Sequence, residues 1–212
     1  MPFNHRTYLI ARFVLILALS FGVFRAGPAR AQAMVYRVAP DGAVSGVCGA
    51  DWSNPCDLQY VLQSLTYQST GVEVWVKAGT YFPGEDRMNT FELRDGVAIY
   101  GGFAGTETAR AQRDLGFHFS ILDGDIGTKG VARDNVYHVV SSYNTDSTAV
   151  LDGFTVTGGN GDNNENGGGI YNADSNPTLR NLYIYNNTAS VGGGMYNYRG
   201  SPTLTNITFS AN

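Results

Sequence analysis

Gly167-Gly168-Gly169-Ile170-Tyr171-Asn172 returns, at an offset of 25, as Gly192-Gly193-Gly194-Met195-Tyr196-Asn197. The same offset pairs Pro177 with Pro202, Thr178 with Thr203 and Leu179 with Leu204. It also pairs Asn181 with Asn206, Leu182 with Ile207, Ile184 with Phe209 and Asn187 with Asn212. A degenerate earlier copy, Leu151-Asp152-Gly153-Phe154-Thr155-Val156, precedes the Leu179 copy at an offset of 28. The extra length falls in the polar insert 160–166. Self-similarity at a fixed period marks units that cannot bury their own apolar face and must stack on neighbours.

The residue types at the repeated positions say what those units are. Positions 170/195, 179/204, 182/207 and 184/209 are apolar, and the last two are separated by a single outward residue, as in a half-buried strand. Stacked strands would lie about 4.8 Å apart with like side chains in register. The Gly triplets suit corners that need positive φ or have no room for a Cβ. Asn at recurring corners can bond its own turn and form ladders between layers. The expected fold is all-β, a right-handed parallel β-helix. A leucine-rich repeat also fits Leu179-x-x-Leu182-x-Ile184-x-x-Asn187, but its convex segment would fall on 192–202, where Gly and Pro oppose a helix. Each Gly there costs about 1 kcal/mol.

Upstream, 72–76, 91–93, 97–100 and 136–140 read as strands of less regular layers, separated by Gly and Asp/Asn corners. Asp57 is placed to cap a short helix whose Leu58, Val61, Leu62 and Leu65 share one face. Residues 34–71 are therefore expected to form an N-terminal cap, a strand, a disulfide loop and an amphipathic helix, with the β-helix over 72–212. The chain reaches Asn212 within a repeat, which predicts a piece of a longer repeat protein.

Residues 1–33 read as a signal peptide. Arg6 and Arg12 precede the apolar run 13–24, which is short of the roughly 20 residues needed to span a bilayer. Gly27-Pro28 and then Ala31-Gln32-Ala33 supply the break and the small-x-small cleavage signal. Cleavage would leave ten basic against eighteen acidic side chains, a formal charge of −8. That excludes nucleic acid, which needs a basic stripe, and a polybasic membrane contact. An acidic polysaccharide would need bridging Ca²⁺. Cys48 and Cys56, the chain's two cysteines, can close a small ring in an oxidising compartment, worth roughly 2.5 kcal/mol by chain entropy.

Several of these segments carry a resemblance. Asp57-Leu58-Gln59-Tyr60-Val61-Leu62, Val74-Trp75-Val76-Lys77-Ala78-Gly79-Thr80-Tyr81, and Gly96-Val97-Ala98-Ile99-Tyr100-Gly101-Gly102-Phe103 are similar to the N-terminal region of bacterial right-handed β-helix repeat proteins. So are Gly105-Thr106-Glu107-Thr108 and Ile121-Leu122-Asp123-Gly124-Asp125-Ile126. The Gly-Gly-Gly-Ile/Met-Tyr-Asn motifs and Phe209-Ser210-Ala211-Asn212 resemble the paired motifs of chlamydial polymorphic outer membrane proteins. The resemblance implies a pectin-lyase-like fold at the cell surface, outer-membrane associated in such an envelope. It brings no catalytic residue, because these motifs are architectural.

Three functional classes follow. In the first, the chain is a surface scaffold or adhesin, and Tyr171, Tyr183, Tyr185, Tyr196 and Tyr198 stack on sugars or protein partners; the plainer reading makes them ordinary outward strand residues. In the second, it is a polysaccharide lyase or glycoside hydrolase using Asp123, Asp125 and Asp152 with His138, Arg133 or Arg180 as bases. Their spacing gives no convergence, and Asp123-Gly124-Asp125 reads as a corner. In the third, Asp162, Asn163, Asn164 and Glu165 hold a stabilising Ca²⁺, although neither the EF-hand nor the nonapeptide spacing is present; a solvated loop is the plainer reading. No other cofactor is expected.

Overall fold

A computed structural model describes residues 33–65, 71–162 and 164–212. The expected signal segment lies, Ala33 apart, outside the described residues, as do residues 66–70 and Asn163 of the polar loop. The described chain is mainly β with parallel sheets. In order come β1 (Met34–Ala43), the helix α1 (Leu58–Ser64), β2 (Val72–Lys77), β3 (Gly79–Tyr81), β4 (Phe91–Leu93) and β5 (Val97–Phe103). Then follow β6 (Ser120–Asp123), β7 (Val140–Tyr143), β8 (Val150–Thr157), β9 (Asn160–Gly161) and β10 (Ile170–Ala173). The last are β11 (Thr178–Tyr185), β12 (Thr188–Ala189), β13 (Met195–Tyr198) and β14 (Thr203–Ser210).

The larger sheet runs β1-β2-β5-β8-β11-β14, with β6 between β3 and the second half of β8. A second sheet runs β13-β10-β7-β4, and β12 pairs with β9. Strands adjacent in a sheet are distant in sequence, so each ladder bond closes a long loop, and the alternating apolar residues must supply the compensation. They do so in columns. Val74, Ile99, Leu151, Leu179 and Leu204 are register partners in succession. Tyr81, Leu122, Val156, Ile184 and Phe209 form a second column, and Phe91, Val140, Ile170 and Met195 a third on the other sheet.

Left-handed backbone recurs at equivalent places and bends the chain. Gly153, Asn181 and Asn206 form one set, Gly158, Asn186 and Ala211 a second, and Asn144, Asp174 and Arg199 a third. The first set divides long strands in two. In β8, residues before Gly153 pair with β5 and those after it with β6. Asn and Gly tolerate this conformation better than other residues, which is why they hold most of these corners.

Side-chain amides tie the layers together. Asn187, 1% exposed, donates to the Val156 carbonyl at 3.1 Å and to Asn212 Oδ1 at 2.9 Å, and accepts from the Gly159 amide at 3.0 Å. Inside the second sheet Ser142 donates to Asn172 at 2.6 Å, and Asn172 to Asn197 at 2.7 Å. The Gly triplets run beside one another, the Gly169 amide reaching the Gly193 carbonyl at 2.8 Å and the Ile170 amide the Gly194 carbonyl at 3.0 Å; Gly167 and Gly192 have positive φ.

At the N-terminal end, Asp57 accepts the Tyr60 amide at 2.8 Å and caps α1, whose Leu58, Val61 and Leu62 are buried. Cys48 and Cys56 are disulfide-bonded, the kind of bond that persists in oxidising compartments. Among the described residues no helix is long and apolar enough to cross a membrane. At the opposite edge the columns end uncovered, with Leu204 44% and Phe209 47% exposed while Leu179 and Ile184 are at 0%. Equivalent positions therefore differ in energy. Ile184→Ala should cost about 2–5 kcal/mol and Phe209→Ala under about 1 kcal/mol in chemical denaturation, because only the first opens a cavity; equal losses would contradict the buried column.

Candidate functional site

The five tyrosines do not share one surface. Tyr171, Tyr196 and Tyr198 lie on the second sheet, whereas Tyr183 and Tyr185 lie on β11 in the larger one. On the second sheet Tyr171 is sandwiched. The His138 ring stacks on it at 4.9 Å and Tyr196 at 5.9 Å, with Tyr143 tilted against it at 5.9 Å. Rings stacked on one another present edges and hydroxyls outward, so Tyr171 has no free face for a sugar. Burial, then Tyr196 and Glu165, push its hydroxyl pKa up, and burial foremost does the same to Tyr143.

One concavity among the described residues lies on the larger sheet. A cleft of about 320 Å³ opens at the bend formed by Gly153, Asn181 and Asn206. Its floor includes Thr155, Tyr183 and Thr208, side chains paired in register across β8, β11 and β14. Its wall is the segment 115–120. Leu115 nests against the strand bend because Gly102 and Gly153 carry no side chain; a Cβ on Gly153 would lie 2.7 Å from Leu115 Cδ2. Phe119 is 59% exposed and Tyr183 43%. Tyr185 stacks on Tyr183 at 5.0 Å.

Asp152 anchors the approach to this wall through Arg113, and Glu107 orders a loop upstream of it. Asp152, 4% exposed, pairs with Arg113 at 2.9 Å and accepts from Asn181 at 2.7 Å. Arg113 also donates to the Asp152 carbonyl at 3.2 Å and lies 5.2 Å from the Tyr100 ring centre. Glu107 accepts the amides of Ala104, Gly105 and Thr106 at 2.7, 3.0 and 2.9 Å. Burial works against its ionisation, but these bonds prevail and hold its pKa below the ordinary value. Trp52 donates to the Glu107 carbonyl at 2.9 Å, pinning the loop to the N-terminal region. Glu107, Arg113 and Leu115 escape sequence reasoning. A lone Glu after Gly-Thr signals only a turn, and Asp152, the partner of Arg113, lies far downstream in the chain.

The residues expected for catalysis are not gathered. Asp123 accepts the Asp125 amide at 2.9 Å, and Asp125 accepts the Gly130 amide at 2.9 Å, which makes the pair a turn. Burial pushes the Asp123 carboxyl up, partly offset by that amide. Asp152 lies elsewhere on the larger sheet, its position paired with exposed Arg180. Arg133 sits exposed in the short 132–134 turn. His138 belongs to the second sheet's aromatic stack, where Nδ1 meets the Gly167 carbonyl at 3.1 Å. The polar loop does not form a cage either. Asp162 pairs with Arg87 at 2.7 Å, Glu165 approaches His138 at 3.8 Å and Asn164 is exposed with positive φ. Among the described residues no group of three or more His, Cys, Asp or Glu is placed to hold a metal ion.

Compared with family models, curated proteins and solved structures, the chain matches none.

Burial lowers the His138 pKa below its ordinary 6.5, with the Gly167 bond and Glu165 acting in the opposite sense. The folded state therefore disfavours the imidazolium. Stability present above the unfolded value should begin to fall as pH drops through about 6.5 and continue falling toward the lower folded value. His138→Gln should flatten that part of the profile when melting temperature is followed from about pH 7.5 to 5.5. An identical slope in the variant would sink this assignment.

Proposed function

We propose that this chain is a right-handed parallel β-helix of the pectin-lyase-like kind, exported and displayed at the cell surface as a scaffold that binds carbohydrate or protein partners. The observation that carries the reading is the layer-to-layer register. Side chains one repeat apart in sequence become direct neighbours on both sheets, and left-handed corners recur at the same offsets. Parallel strands joined by crossovers take the right-handed sense in nearly all proteins.

A stack of that kind extends a rigid surface from a small number of rules, which suits display more than turnover. The carboxylates considered for catalysis, Asp123, Asp125 and Asp152, are engaged in a turn and an ion pair, while the outward positions offer aromatic rings, hydroxyls and carboxamides, the groups that recognise partners by contact. The Cys48–Cys56 bond supports passage through an oxidising compartment. The acidic balance of the part after residue 33 disfavours anionic polymers as partners.

The reading is tested on intact cells of the organism that makes the chain. A membrane-impermeant amine label should reach it without lysis, and mass spectrometry should find a mature N-terminus at Met34 with both cysteines oxidised. A chain labelled only after lysis, retaining the segment 1–33 and free thiols, would overturn export and display together.

A further inference from the structure

We infer that the cleft beneath the 115–120 wall is a binding site for an uncharged saccharide unit, a reading that rests on the proposed surface role and names its ligand class. The cleft's volume of about 320 Å³ falls at the small end of the range for ligand pockets, roughly 300–1,000 Å³, and suits one or two sugar units. The described residues that line it include no Asp, Glu, Lys or Arg, and His118 is the one basic side chain among them. The nearby charges of Asp152 and Arg113 neutralise each other. A carboxylate ligand would lose its hydration with only the His118 imidazole to offset the charge, whereas hydroxyls and an apolar ring face would each find a partner.

The polar lining has a fixed sense. An ionised carboxylate only accepts hydrogen bonds, so Asn181 must turn its amide NH₂ toward Asp152. Its oxygen is thereby left for Asn206, whose NH₂ donates to it at 2.8 Å. The Asn206 carbonyl oxygen then remains as an acceptor, and Asn206 lines the cleft. Asp152 thus dictates, through two carboxamides, that the cleft offers an acceptor there to an incoming hydroxyl. The Thr155 and Thr208 hydroxyls serve as donor or acceptor alike. Tyr183 and Phe119 supply flat apolar surface of the kind on which the C–H face of a pyranose rests.

The test uses the purified full chain and two probes, a neutral β-linked glucose disaccharide and the corresponding uronic acid disaccharide, with binding followed by ligand-observed NMR. Tyr183→Ala removes the ring. Asn206→Gly removes the terminal acceptor while keeping the left-handed bend. Tyr198→Ala is a control on the other sheet, and circular dichroism verifies that each variant folds. The neutral disaccharide should bind, the acidic one should not, and each cleft variant should weaken binding about ten-fold with Tyr198→Ala unchanged. Failure of the neutral probe to bind, equal binding of both probes, or undiminished binding by Tyr183→Ala and Asn206→Gly would each overturn the site. Binding lost in Tyr198→Ala alone would overturn it too, moving the ligand to the other sheet. The cell-labelling experiment decides the surface role separately in every case.

Discussion

Burial of like on like is the constraint from which the rest of this structure follows. A short strand such as β10 cannot cover Ile170 by itself, and neither can β7 or β13. Placed side by side in parallel, they form a column in which Val140, Ile170 and Met195 exclude water from one another. Every connection between such strands is long, so the entropy of loop closure must be met by these columns and by the main-chain ladders alongside them. Substitution inside a column is felt by the layers on both sides.

Polar groups inside the stack obey the same logic with different chemistry. Asn172 is 0% exposed, yet each side of its carboxamide meets a neighbour in the next layer, Ser142 on one side and Asn197 on the other. Asn187 satisfies main-chain groups at a corner that strands cannot satisfy. Asp152 extends the principle outward, ordering Arg113, Asn181 and Asn206 around one buried charge. The same carboxylate that anchors the wall of the cleft also sets the hydrogen-bonding sense of its lining.

Much of the architecture is legible in the linear order because the repeat is short and the residue types are unforgiving. Ile170 with Met195 and Ile184 with Phe209 can be paired from the text alone, as can the amphipathic face of α1 and the cap at Asp57. The surfaces are less accessible. Alternation says that Tyr171 and Tyr183 point outward, but not that they do so from different sheets. Nor does it say that His138, well upstream of Tyr171 and outside its repeat, covers one of that ring's faces. The cleft depends on Leu115 and on Arg113 beside it, which belong to an irregular segment and carry no periodic signal.

Taken alone, the order of residues determined the period, the inward and outward positions and the places where the backbone must turn, because those depend on local volume, polarity and φ preference. Tertiary structure decided which outward side chains meet, which aromatic faces remain open and which way each carboxamide is turned. Those properties arise from contacts between segments a full layer or more apart in the chain, whose relative placement no local preference encodes. A buried carboxylate can orient an amide only once the fold has brought the two within hydrogen-bond reach.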